Sequence, residues 1–78
     1  MPRYFFDIAD GDESGTDGEG LEFLNLEAAR ANALAALGEI ARDELPDGDR
    51  RDFQISIRDD GGQVLLKATL VLRVERPG

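Results

Sequence analysis

The sequence contains no cysteine, histidine or tryptophan among its 78 residues. Without cysteine there can be no disulfide or thiolate ligand, and without histidine the usual zinc sites and the commonest general base are excluded. No apolar run reaches the roughly 20 residues that a membrane helix requires. Met1, Pro2 and Arg3 lead directly into a strand-like segment instead of an apolar signal-peptide core. We therefore expect a single soluble domain, residues 1–78, in the cytoplasm.

The sequence also offers little reactive chemistry. Its hydroxyl side chains have no histidine to activate them, and no lysine lies in a recognisable catalytic motif. Carboxylates are abundant, but acid–base catalysis needs one of them in a desolvated pocket. The sequence therefore predicts a non-enzymatic protein without a cofactor.

Charge is distributed unevenly along the chain, whose net charge is −8. Residues 1–49 carry a net charge of −10, whereas residues 50–78 carry +2. An acidic surface repels phosphate backbones, which argues against nucleic acid as a partner. The C-terminal third could still form a local basic patch.

The segment Asp10–Glu22 holds six carboxylates and four glycines. One interpretation is a calcium loop, in which Asp10, Asp12 and Ser14 are the candidate ligands at the first, third and fifth positions. The twelfth position, which should be a bidentate glutamate, is Leu21. The stronger interpretation is a solvated edge strand, because charge and glycine discourage pairing with another chain.

Hydrophobic periodicity predicts the remaining elements. Residues 3–9 and 53–58 alternate as strands, and a weak strand is expected within residues 13–23. Asn25 is the expected N-cap of a helix over 26–44, and residues 46–48 should form a turn. The apolar helix face is predicted to comprise Leu26, Ala33, Leu34, Leu37, Ile40, Ala41 and Leu45.

A hairpin is expected at residues 59–62, followed by a strand over 63–74. That strand is the longest and most apolar, so we expect it at the centre of the sheet. The predicted fold class is α+β: a two-layer sandwich in which one helix covers one face of a four-stranded antiparallel sheet, in the order β-β-α-β-β.

The face of the sheet opposite the helix is the second candidate site. Basic and apolar side chains should alternate onto it from three strands. The candidate interface residues are Phe5, Arg58, Leu65, Lys67, Val71 and Arg73, with Arg3 beside them. A dimer or partner interface, an ordinary solvated face and a single-stranded nucleic-acid platform all remain open.

Three segments carry a family resemblance: Pro2-Arg3-Tyr4-Phe5-Phe6-Asp7, Leu26-Glu27-Ala28-Ala29-Arg30 and the segment 59–65. In this order and spacing they resemble small uncharacterised bacterial proteins, common in alphaproteobacteria, that are classed as a domain of unknown function. The resemblance implies a bacterial cytoplasmic setting and no established activity. A looser likeness to antitoxins of HicB type concerns the fold alone.

These observations rank three hypotheses for function. The first is a protein–protein interaction module that associates with an unknown protein or with itself as a homodimer through the sheet. The second is weak calcium binding by the acidic segment. The third is association with nucleic acid in the manner of HicB-type antitoxins. We expect no membrane association.

Overall fold

The computed structural model describes residues 1–11, 13–44 and 50–77. The fold is α+β, with one helix and an antiparallel sheet of five strands within the described residues. Its elements are, in chain order, β1 (Arg3–Asp10), β2 (Glu13–Gly15), β3 (Leu21–Glu22), α1 (Leu26–Glu44), β4 (Arg50–Arg58) and β5 (Val64–Arg73).

The sheet has the strand order β2-β1-β4-β5, and β3 also pairs with β1. The predicted single strand within residues 13–23 is therefore wrong, because this segment forms two short strands. β2 pairs with Ile8–Asp10 and β3 pairs with Arg3 and Tyr4. The glycine-rich residues between them leave the ladder, which divides the strand in two.

The predicted central position of the last strand is also wrong. β5 pairs with β4 alone and lies at one edge of the described sheet, while β4 lies inside it. The prediction took apolar character as a sign of burial. The helix instead packs mainly over β4, whose Phe53, Ile55 and Ile57 are almost fully buried.

The core lies between one face of the sheet and a stripe of small residues on α1. Ala29, Ala33, Leu37 and Ala41 are buried at intervals of four residues, which places them on one side of the helix. Their small side chains allow the helix to approach the sheet closely. Leu34, predicted on the apolar face, is 40% exposed, because it lies to one side of this stripe.

The predicted N-cap of α1 is confirmed. The backbone N–H of Ala28 donates to Asn25 Oδ1 at 2.9 Å, and the N–H of Ala29 donates to the Asn25 carbonyl at 3.2 Å. These bonds satisfy two donors that the first helical turn leaves open. Leu45 and the turn predicted at 46–48 lie outside the described residues.

The predicted hairpin between the last two strands is confirmed as well. Asp59 Oδ1 accepts hydrogen bonds from the backbone N–H groups of Gly61 and Gln63, each at 2.9 Å. This side-chain acceptor closes the turn, as aspartate commonly does. The pairing of β4 with β5 then places Phe53 opposite Leu70 and Ser56 opposite Lys67.

Gly20 fixes the path of the acidic segment against β1. Its φ is +71°, and a Cβ atom there would lie 2.9 Å from the Tyr4 carbonyl oxygen and 2.9 Å from Arg3 Cγ. A residue with a side chain would meet both the backbone strain of a positive φ and a collision with backbone. Only glycine fits this position without a shift of the strand.

We therefore expect Gly20→Ala to lower the free energy of unfolding by about 2 kcal/mol or more. Gly18→Ala is the matched control, because a Cβ at Gly18 meets no atom within 4 Å and its φ is not positive. Urea denaturation followed by circular dichroism measures both variants. Equal midpoints for the two would contradict the close packing of Gly20 on β1.

Candidate functional site

The strand registers place most of the predicted outer-face residues together. Phe5 lies opposite Arg58, Lys67 opposite Ser56 and Val71 opposite Asp52. Directly opposed residues of an antiparallel pair point to the same face. The outer face of the sheet therefore carries the alternating basic and apolar residues that the period of two indicated.

Leu65 lies at an irregularity in this pattern. Ile57 pairs with Leu66 but Arg58 pairs with Val64, so Leu65 is the extra residue of a β-bulge. A bulge locally disrupts the ladder and bends the strand. The regular part of β5 therefore begins at Leu66.

Arg58 is held by several groups on this face. Its Nε lies 2.6 Å from Asp7 Oδ2, and its Nη2 donates to Asp7 Oδ1 at 3.2 Å. The same Nη2 donates to the Asp17 carbonyl at 2.8 Å, and the guanidinium lies 5.1 Å from the centre of the Phe5 ring. These contacts join β1, β4 and the acidic segment through one side chain.

Asp17 completes this arrangement, which we call the Asp7–Arg58–Asp17 cluster. Its Oδ2 accepts a hydrogen bond from the N–H of Phe6 at 3.1 Å, and its Oδ1 accepts from Glu19 and Gly20 at 3.0 and 3.1 Å. Its own N–H donates to Asp7 Oδ1 at 3.0 Å. Phe6 lies between the parts of β1 that pair with β2 and β3, so the carboxylate takes the place of a strand carbonyl.

Both carboxyl groups of the cluster titrate below their ordinary range. The hydrogen bond from Arg58 is the main reason that the pKa of Asp7 is lowered, against the opposing effect of burial. The N–H groups of Gly20, Phe6 and Glu19, in that order, lower the pKa of Asp17. Each cause stabilises the ionised form. The cluster is therefore charged at neutral pH.

Sequence reasoning did not identify Asp7 and Asp17 as partners of Arg58. Asp7 could have been found, because it lies two residues from Phe5 and so points to the same face of β1. Asp17 could not, because it lies between two strands in a segment without periodicity. The cluster neutralises part of the basic character that the outer face was expected to have.

The candidate calcium ligands lie in different surroundings from those a calcium loop requires. Asp10 belongs to β1 and Ser14 to β2, and Ser14 lies opposite Ala9 in the antiparallel ladder. Asp12 is outside the described residues. Within the described ranges, no group of three or more aspartate, glutamate, histidine or cysteine side chains is arranged to hold a metal ion.

A shallow hollow of about 310 Å³ lies where β1 and β2 meet the helix. Its lining residues are Ile8, Asp10, Ser14, Gly15 and Ile40. Asp10 has an interaction of its own, so its carboxylate is not free to serve a ligand. The hollow therefore offers two apolar side chains and one hydroxyl.

The edge strand β5 is the most exposed apolar element. Val71 is 55% exposed, Val64 48% and Leu70 41%. β4 covers one side of the strand, and no described strand covers the other. An edge of this length presents a row of backbone donors and acceptors beside apolar side chains.

The fold and surface define a small α+β domain with one helix on an antiparallel sheet and an open apolar edge strand. The chain belongs to the family described as Domain of unknown function (DUF6894), whose model matches residues 3–71. No curated protein and no solved structure matches the chain. Among the described residues, no helix is both long enough and apolar enough to span a membrane.

We expect Asp17→Ala to lower the free energy of unfolding by about 2 kcal/mol, since three backbone N–H groups lose a charged acceptor. Urea denaturation at pH 7 measures the change. Glu19→Ala is the control, because it removes a neighbouring exposed carboxylate but leaves the backbone bonds of the segment in place. An equal loss in both variants would contradict the role of Asp17.

We expect the difference in stability between wild type and Asp17→Ala to depend on pH. Its folded-state pKa is lower than the ordinary 3.8, so the carboxylate contributes fully above that value and its contribution is lost as pH falls below it. Denaturation at pH 7, 5 and 3 should give equal differences at the first two and a smaller one at the third. A difference that grows on acidification would refute the ionised cluster.

Proposed function

We propose that this protein is a non-enzymatic protein-interaction module that binds an extended strand of its partner along β5. The observation that carries the proposal is the open edge of β5, a ten-residue strand with exposed apolar side chains. Proteins commonly protect such edges with charge, proline, bulges or a covering element. Strand addition would satisfy the backbone of β5 and cover its apolar residues.

The opposite edge of the sheet differs in each of these respects. β2 and β3 have three and two residues, and they belong to the acidic segment. Short strands and charge both hinder pairing with another chain. The contrast supports β5 as the edge at which a partner binds.

The candidate interface residues divide into two groups under this proposal. Leu65, Lys67, Val71 and Arg73 belong to β5 and would lie at or beside the partner strand. Phe5 and Arg58 contact each other and the Asp7–Arg58–Asp17 cluster. Their role is therefore to hold the sheet together, and we place the interface on β5 instead of over the whole outer face.

Calcium binding and nucleic-acid binding have weaker support. Asp17, the acidic side chain nearest the centre of the segment, is already bonded to three backbone N–H groups. Arg58, the central cation of the outer face, is paired with Asp7. Phe5 is the aromatic side chain on that face, whereas nucleic-acid platforms stack several bases.

We also propose a cytoplasmic setting, which the family resemblance implies. No step of the interaction proposal depends on it. An interface built on strand pairing requires only that β5 and a partner strand meet in water.

A photo-reactive phenylalanine analogue at position 71 tests the interaction in the native host. We expect irradiation to join the protein to one partner of discrete mass, because position 71 would lie beside the added strand. The same analogue at Glu39 is the control, since that residue is exposed on α1 away from β5. Irradiated samples are compared by mass on denaturing gels.

The two positions together decide the outcome. A discrete adduct from position 71 and none from position 39 supports binding at β5. The absence of an adduct from position 71, or the same adducts from both positions, would overturn the proposed interface.

A further inference from the structure

We infer that the partner strand is β5 of a second copy of this chain, paired antiparallel about a two-fold axis through Thr69. The inference rests on the proposed function and names its partner. Such pairing would join the two sheets into one, with both helices on the same face. Strand pairing between identical chains is isologous, so the strand must be complementary to itself.

Symmetry restricts the possible registers. Opposed residues of an antiparallel pair share a face, while successive residues of a strand alternate. An axis perpendicular to the sheet must therefore pass through a pair of identical residues. This requirement leaves one register for each residue of β5 chosen as the centre.

The bulge and the charges of β5 then favour one register. The regular stretch runs from Leu66 to Arg73, since the bulge lies at Leu65. An axis through Thr69 or through Leu70 pairs seven regular residues in each copy, whereas one through Ala68 or Val71 pairs five. An axis through Leu70 places Lys67 opposite Arg73, which is unfavourable because the charges are alike.

The register centred on Thr69 also matches side chains well. On the helix face it places Leu66 opposite Leu72 and Ala68 opposite Leu70. On the outer face it places Thr69 opposite Thr69 and Lys67 opposite Val71. Paired threonines and paired aliphatic residues stabilise antiparallel strands, and neither basic residue faces its own kind.

The charge distribution favours contact at this edge. Residues 1–49 carry a net charge of −10, so two copies repel each other wherever their acidic segments approach. β5 holds only two charged side chains, Lys67 and Arg73. An approach through β5 keeps the acidic segments, which lie at the opposite edge of the sheet, as far apart as the fold allows.

The helix surface next to β5 adds a further apolar residue. Ile40 lines the hollow at β1 and β2, on one flank of α1. Leu34 lies about 120° around the helix from Ile40, at about 100° per residue, which places it on the flank nearer β5. It is 40% exposed, and a second copy would bring another such flank across the joined strands.

Charge substitutions at position 71 test the register. Val71→Lys should place lysine opposite Lys67 of the other copy, twice in each dimer, and weaken dimerisation by about tenfold or more. Val71→Glu should place a carboxylate opposite that lysine, so its dissociation constant should equal or fall below that of wild type. The double variant Lys67→Glu with Val71→Lys should recover dimerisation. Sedimentation equilibrium measures the four proteins.

The stability of the single chain changes in the opposite direction, which separates dimerisation from folding. Val71 lies opposite Asp52 within each copy, so lysine at position 71 should favour the folded chain and glutamate should oppose it. Thermal unfolding at low protein concentration measures this effect. A variant that dimerises less but unfolds at the same or a higher temperature has lost the interface and not the fold.

Three results would overturn the inference. Wild type could remain at the 8.5 kDa mass of one chain at a concentration of about 200 µM, beyond the range of a weak but specific interface. Val71→Lys and Val71→Glu could alter dimerisation equally. The photo-crosslink from position 71 could join a different protein, in which case strand addition at β5 stands and self-pairing fails.

Discussion

The ion pair between Arg58 and Asp7 is the interaction on which the outer half of the structure depends. It connects the two inner strands at one end of their ladder, and through the Asp17 carbonyl it also fixes the acidic segment. Both side chains are less than one third exposed, so the pair is better shielded than an ordinary surface ion pair. Without it, the segment between β2 and β3 would lose its anchor to β4, and the N–H of Phe6 would lose the aligned carboxylate that replaces a strand partner.

Much of the fold could be predicted from local patterns. The alternation in β1, the Asn25 cap and the Asp59 turn each depend on groups a few residues apart, and each is found as predicted. The position of β5 could not be predicted in this way, since an apolar strand reads alike at the centre and at the edge of a sheet. Its exposure depends on where α1 lies, and the helix packs over β4 through a stripe of alanines.

The candidate site was predictable to a similar extent. A period of two places Phe5 and Arg58 on one face, and the register confirms that they lie opposite each other. What the pattern could not show is that a loop residue reaches back to them. Asp17 is close to β1 only because Gly20 adopts a positive φ and packs against Tyr4. Contacts of this kind depend on the path of the backbone, which composition does not encode.

The acidic segment thus has two consequences that the sequence alone presents as one. A single carboxylate, Asp17, is used to complete the edge of β1, and the others remain at that edge as charge. This makes the two edges of the sheet unequal: one is short, acidic and occupied by its own loop, while the other is long, apolar and open. A strand that approaches from solution meets repulsion at the first edge if it is acidic, and unpaired backbone at the second. The same residues that stabilise β1 therefore direct association towards β5, which is why stability of the cluster and choice of partner should be separable by substitution.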